Sequence, residues 1–257
     1  MRIIASLILL GIILILFSVK SVKAKFTRSS KRAAPIDLVL KNNVHLSSCG
    51  AVFVYSNKVD FFTSSFKIKS NDLVIYIDPM LVDLPEKADY IFITHCHKEH
   101  FTTEDIDLLM GENTKIVCPE YVADKLIGYP VIAVGPMDEK RFGDFKFSVR
   151  PSSNDTNRKE GICESQGYIL EVDENKIYHA GENGIDGSII KGDKITLALV
   201  PIDGDEVMDS LETIRIVNEI RPNVVVPMHY DLRQNSLDIF QKGIAEDIDF
   251  HVLDKID

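Results

Sequence analysis

Three of the chain's seven histidines fall within six residues, in the segment Thr94-His95-Cys96-His97-Lys98-Glu99-His100. Side chains of an extended backbone alternate with period two, so His95 and His97 point the same way and can grip one cation. Cys96 lies between them, points away by the same alternation, and is read as packed rather than ligating. Glu99 and His100 come one step further along the loop and can hold a second cation. Imidazole nitrogen and carboxylate oxygen suit Zn²⁺ first, with Mn²⁺ or Fe²⁺ as alternatives, and one or two ions are expected. Surface histidines scattered by chance fit poorly with such density.

Two distant segments carry the same kinds of donor. Tyr178-His179-Ala180-Gly181-Glu182 presents a carboxylate after a small turn, and Val226-Pro227-Met228-His229-Tyr230 places a histidine at a strand end. Taken singly, Glu182 reads as an ordinary strand-end acid and His229 as a structural histidine; together with residues 95–100 they read as a ligand set. His179 fits a supporting position behind the ligands or a packed strand-end histidine equally well. No serine nucleophile is indicated, because Ser64, Ser65, Ser152 and Ser153 sit in no Gly-x-Ser-x-Gly elbow.

Short apolar runs must position these groups. Ala51–Tyr55, Ser65–Ile68, Leu73–Ile77 and Tyr90–Thr94 are rich in β-branched and aromatic residues and predict strands, the last leading directly into the histidines. Further strands are expected at Lys115–Cys118, Val131–Val134, Phe145–Val149, Gly167–Val172, Lys176–His179, Ile195–Pro201, Asn223–Pro227 and Phe250–Leu253. Helices are expected at Thr103–Met110, near Tyr121–Ile127, and at Ser210–Ile220, where Leu211, Ile214, Val217 and Ile220 recur at helical spacing. Mixed sheets covered by helices, with a site at the strand ends, follow from this pattern.

With these motifs in view, the chain resembles the metallo-β-lactamase superfamily, particularly its lactonase-like metal-dependent hydrolase branch. The family's Thr-His-x-His-x-Asp-His is matched by THCHKEH (94–100), its YHAGDT by YHAGENG (178–184), and its PMHYG by PMHYD (227–231), while SSFKIKSNDLVIYIDPM (64–80) resembles the strand pair ending in the family's Asp-Pro. The resemblance runs in order from about residue 48 to 253. It implies an α/β (α+β) fold, an αββα sandwich of two mixed β-sheets flanked by helices, with two metals at one sheet edge. By matching position, His95 and His97 belong to the first metal, Glu99, His100 and His229 to the second, and Glu182 takes the place of the bridging carboxylate. Two family aspartates are glutamates here, Glu99 and Glu182, each reaching one methylene further. The first metal's usual third histidine is missing from 151–156; Asn154 stands near its place, a weaker ligand, with Asp155 next to it.

The activity so implied is hydrolysis of an ester, lactone, amide or phosphoester by a metal-bound hydroxide, with Glu99 orienting the water and passing its proton. A catalytically impaired, membrane-tethered metal-binding domain of the same fold is the alternative. A flavo-di-iron redox partner is disfavoured, since no flavodoxin-like domain accompanies the site.

The chain has 257 residues, ample for one core, and the expected division is an N-terminal signal or anchor at 1–24, a basic tether at 25–35 and one domain at 36–257. Net charge is −10, but residues 1–32 hold seven basic groups and no acid, leaving 22 basic against 39 acidic beyond them. A body that acidic repels phosphate backbones, so nucleic acid is not an expected partner; a small-molecule or lipid-like substrate is. The four cysteines form no Cys-x-x-Cys pair, and disulfides are permitted but unneeded at this size. Ile3 to Val19 is an uncharged apolar run of roughly 26 Å as helix against a hydrocarbon core of ~30 Å. With the basic residues following it, this run predicts a single-pass membrane anchor with the domain facing the cytoplasm, and as alternative a cleaved signal with a secreted or periplasmic domain.

Overall fold

The computed structural model describes residues 37–49, 52–55, 58–62, 64–82, 84–143, 145–151, 165–182, 192–204, 207–230 and 235–252, with backbone alone for 52–62. Strands dominate. The first sheet draws on β1 (Leu38–Val39), β2 (His45–Ser48), β5 (Phe66–Ser70), β6 (Leu73–Ile77), β7 (Ala88–Phe92), β8 (Met110–Pro119) and β9 (Val131–Val134), in that spatial order. The second contains β10 (Glu139–Phe142), β11 (Phe145–Pro151), β12 (Gln166–Val172), β13 (Asn175–His179), β14 (Leu197–Pro201), β15 (Val224–Met228) and β16 (Asp249–Phe250). A separate hairpin joins β3 (Val52–Tyr55) and β4 (Lys58–Phe62). Each sheet is mixed in the same way: three antiparallel pairings lead into three parallel ones.

Period-two alternation explains how the layers stack. On β6, Ile75 and Ile77 turn into the core between the sheets, while Val74 and Tyr76 face outward. On β7 and β8, Phe92 and Val117 face inward, and Ile91, Ile116 and Cys118 outward. Both faces of these parallel strands are covered, which is why they read as unbroken apolar runs. The outer face is roofed by α1 (Thr103–Leu109) and α2 (Glu120–Ala123), through Ile106, Leu109 and Val122. The second sheet is covered by α3 (Ser210–Ile220) and α4 (Ser236–Gly243), which bury Ile216, Val217, Ile220 and Phe240. Two seven-stranded mixed sheets between helices make the α+β sandwich that the motifs implied.

The helix starts are written locally. Thr102 Oγ1 accepts the Asp105 N–H at α1, and Asp209 with Glu212 forms a reciprocal capping box at α3. Two helical expectations need correction. α2 spans only Glu120–Ala123 rather than extending to Ile127, which is exposed because the chain turns away before it. The buried stripe of α3 is Thr213, Ile216, Val217 and Ile220, whereas Leu211 is 68% exposed. Thr213 earns its buried place by donating its hydroxyl to Pro201 O (2.7 Å), so the stripe is rotated from the purely apolar one.

The expected membrane anchor, its transmembrane and signal character, and the membrane localisation drawn from it are also corrected. Among the described residues no helix is long and apolar enough to cross a membrane. Residues 3–19, which carried the expectation, lie outside the described residues.

Candidate metal centre

Parallel strands gather their functional loops at their carboxyl ends, and here both sheets do so at one edge. β6 ends at Asp78, β7 leads into Thr94–His100, β13 into Gly181 and Glu182, β14 into Asp203, and β15 into His229. The segments that sequence alone marked as separate clusters are thereby brought together.

Glu182 is the hub. Its Oε1 is hydrogen-bonded to His100 Nε2 and lies 3.0 Å from His229 Nε2. Its Oε2 lies 2.8 Å from His95 Nε2 and 3.5 Å from His97 Nδ1. One carboxylate thus faces four imidazoles, two per oxygen, and the division sets His95 with His97 and His100 with His229. The ligand atoms of His95, His100 and Glu182 all lie within 4.8 Å of one another, as do those of His97, Glu99 and Glu182. Glu99, expected beside His100, instead faces His97 Nδ1 at 3.8 Å. Asn154 and Asp155 lie outside the described residues.

Glu182 is placed by Gly181, whose φ of +70° suits glycine. A Cβ at that position would overlap Ser165 Oγ and come within 2.8 Å of Gln166 O. Ser165 Oγ also accepts the Glu182 N–H at 3.0 Å. Behind the turn, His179 is fully buried, with Nδ1 accepting from Gly181 N–H (3.2 Å) and Nε2 facing Ser64 O (2.9 Å). Those partners fix a neutral imidazole with its proton on Nε2, and burial holds its pKa below the ordinary histidine value. His179 therefore supports the turn and takes no place among the ligand atoms.

Asp78 is the principal site residue that motif reading passed over. It is wholly buried, accepts from Thr94 N (2.7 Å) and Thr94 Oγ1 (2.6 Å), and pairs through Oδ2 with His100 Nδ1 (2.7 Å). Thr94 Oγ1 also reaches His95 Nδ1 at 3.0 Å. Its signal was present as the Asp-Pro after an apolar run, readable as a strand stop, and only the tertiary contact reveals its role. Asp78 and His229 both adopt left-handed backbone, φ +46° and +48°. Such strain in residues other than glycine concentrates at functional sites.

Charge balance in the cluster is tight. Burial alone would raise the Glu182 carboxyl, but His100 and His95 outweigh it and hold it well below the ordinary value. Burial would make His100 neutral, yet Glu182 and Asp78 together hold it well above the usual histidine range. His95 goes the other way: burial, then the neighbouring His100, lower it. Its buried Nε2, though 2.8 Å from Glu182 Oε2, has no hydrogen-bond partner of acceptable alignment. An orphaned imidazole nitrogen aimed into a knot of imidazoles and a carboxylate fits a divalent cation.

Cys96, between the two histidines, is buried with Ile106 and Leu109 under α1 and is disulfide-bonded. It is turned away from the ligand atoms, as alternation predicts, and its bond is one that size alone did not require.

A sequence model described as the beta-lactamase superfamily domain matches residues 59–229, a span that takes in every segment of the cluster and leaves the apolar N-terminal run outside. The UPF0173 metal-dependent hydrolase of Thermococcus onnurineus is 32% identical over 175 residues, covering 61% of this chain and 77% of that relative. Among solved structures, a metallo hydrolase of Ignicoccus hospitalis superposes with a TM-score of 0.62 at 22% identity, over 76% of this chain and 94% of the other. The metallo-beta-lactamase fold protein YhfI of Bacillus subtilis does so with a TM-score of 0.64 at 16% identity, over 82% and 97%.

Proposed function

The chain belongs to the beta-lactamase superfamily, and from that membership we propose that it is a metal-dependent hydrolase acting on an ester, lactone, amide or phosphoester. The observation that carries this reading is the single buried carboxylate of Glu182 facing His95, His97, His100 and His229. His95 and His97 would hold one cation, His100 and His229 a second, with Glu182 between them and Glu99 at the open side. Zinc is the first choice for this donor set, with manganese or iron as alternatives. When bound, such a metal polarises a substrate oxygen and brings the pKa of a water toward ~7.

The chain's own groups supply the rest. Asp78 takes the His100 Nδ1 hydrogen and so turns Nε2 into the cleft, an arrangement that raises the basicity of a ligating imidazole. Thr94 anchors the same aspartate from backbone and hydroxyl, fixing the start of the histidine loop. In this reading Glu99, partly exposed and 3.8 Å from His97 Nδ1, accepts a proton from the attacking water at a carboxylate oxygen and passes it to the leaving group. No covalent nucleophile is required.

Metal analysis of the purified chain, followed by turnover on a panel of esters, lactones, amides and phosphoesters, tests the proposal. It expects at least one equivalent of zinc, manganese or iron, and turnover that is lost on chelation and in His100→Ala. A protein with far less than one equivalent, or a His100→Ala variant of unchanged activity, would overturn it.

A further inference from the structure

The aspartate behind His100 stands in a turn whose backbone is unusual twice over. Asp78 and Leu81, three residues apart, both adopt left-handed backbone, φ +46° and +51°. For a bulky side chain such as leucine, that conformation persists only where the surroundings over-determine it. They do so here by holding the turn's amides. Asp78 N–H donates to Phe92 O (2.8 Å) and Met80 N–H to Ser65 Oγ (3.0 Å). The next two amides both donate to the carboxylate of Asp105, Leu81 to Oδ2 and Val82 to Oδ1, each at 3.0 Å. Thr102 Oγ1, the cap of α1, donates to the same Oδ2 (2.9 Å).

An acid in the first turn of a helix is commonplace, because it faces the positive end of the helix dipole. That alone gives no reason for burial, and an aspartate is seldom buried unless it is paired. Asp105 is only 4% exposed, and the amides that it grips belong to a segment 24 and 23 residues earlier in the chain. His100 lies five residues before Asp105, at the entry to the same helix. The 78–82 turn and the start of α1 are thus joined twice, once by Asp78 with His100 and once by Asp105 with the two amides. Resting on the metal-dependent reading above, we propose that Asp105 is a positioning residue of the metal centre. It acts through Asp78 rather than on the ligands themselves. By holding Leu81 and Val82 it sets the turn that aims Asp78 at His100 Nδ1, and with it the direction of His100 Nε2 toward Glu182. Ser65 holds the same turn from the start of β5.

Zinc affinity of the purified full chain, measured by competition with a chromophoric chelator, tests the assignment. Asp105→Asn keeps the volume but offers one acceptor where two amides need two, and should weaken zinc binding about tenfold. Because the effect runs through Asp78, it should add nothing to Asp78→Asn, and the double variant is expected within about twofold of Asp78→Asn alone. Asp193→Asn breaks an ion pair at the amino end of β14, away from the ligand loops, and should bind zinc as the unaltered protein does. If Asp105→Asn does not fold, Ser65→Ala decides: it removes the acceptor for Met80 N–H and should weaken zinc binding in the same direction, again without adding to Asp78→Asn. Unchanged affinity in the deciding variant, a loss that multiplies with that of Asp78→Asn, or an equal loss in Asp193→Asn would each overturn the positioning role, while zinc uptake by the unaltered protein would leave the hydrolase reading intact. An unaltered protein that takes up no zinc, manganese or iron would remove both.

Discussion

Asp78 Oδ2 and His100 Nδ1 stand 2.7 Å apart, joining the end of β6 to the loop after β7, and both side chains are almost wholly buried. The aspartate has two further donors from Thr94, so its loss leaves three buried groups without an acceptor. Asp78→Ala should destabilise the fold by about 3 kcal/mol, read from urea denaturation. Asp78→Asn, which keeps the shape, should weaken metal affinity by about 10- to 100-fold, read by competition with a chromophoric chelator. Wild-type affinity in Asp78→Asn would mean the contact does not orient His100.

Glu182→Gln preserves volume and removes the charge that faces four imidazoles. Metal content after gel filtration, measured by mass spectrometry, should fall at least tenfold, because an amide oxygen is the poorer donor and cannot neutralise two cations. Full retention would show that the carboxylate is dispensable.

Gly181→Ala asks a side chain to enter space held by Ser165 and Gln166 in left-handed backbone. A loss of about 1–3 kcal/mol is expected, visible as a lower melting temperature, with a matching drop in retained metal because Glu182 is the next residue. An unchanged melting temperature would count against the tight turn.

Removing metal should lower stability, and with it the melting temperature, by an amount set by ligand concentration over Kd, about 4 kcal/mol at a thousandfold excess. Calorimetry with and without chelator measures it. A chelator-insensitive melt would argue that nothing binds the folded form preferentially.

Acid sensitivity should be traceable to Asp193, at the entry to β14. It accepts from Arg150 Nη2 (3.1 Å) and Lys176 Nζ (2.8 Å), and although burial opposes it, these cations hold its carboxyl below the ordinary value. A depressed folded-state pKa contributes stability that is full above the unfolded value of ~3.9 and disappears as pH falls through the folded one. Asp193→Asn should therefore cost up to about 1 kcal/mol at neutral pH, a figure discounted for partial solvent screening, and nothing at the acid end. Parallel losses at pH 7 and at pH 2 would contradict that assignment.

How much of this was readable in advance varied by residue. The histidine loop announces itself through residue density and strand-end position, Glu182 and His229 become legible only as a set with it, and the apolar runs of β6, β7 and β15 follow from burial on both faces. Asp78 did not stand out, because an aspartate before a proline is also an ordinary strand stop, and only a contact 22 positions away distinguishes the two. Ser165 and Gln166 carry no motif at all; their importance comes from β12 being seated beside the histidine loop. The pairing of Glu99 with His97 rather than His100 depends on the loop's path, which side-chain alternation does not fix. The rotated stripe of α3 reflects a threonine whose hydroxyl found a backbone acceptor.

The carboxylate at 182 belongs to one sheet, three of the imidazoles around it to the other, and the fourth to its own. A slip of one layer past the other by a single residue, ~3.3 Å along a strand, would be enough to pull those partners out of reach. Occupancy of the cleft therefore serves as a gauge of how the two halves are seated, and anything bound there acts as a rivet across the seam.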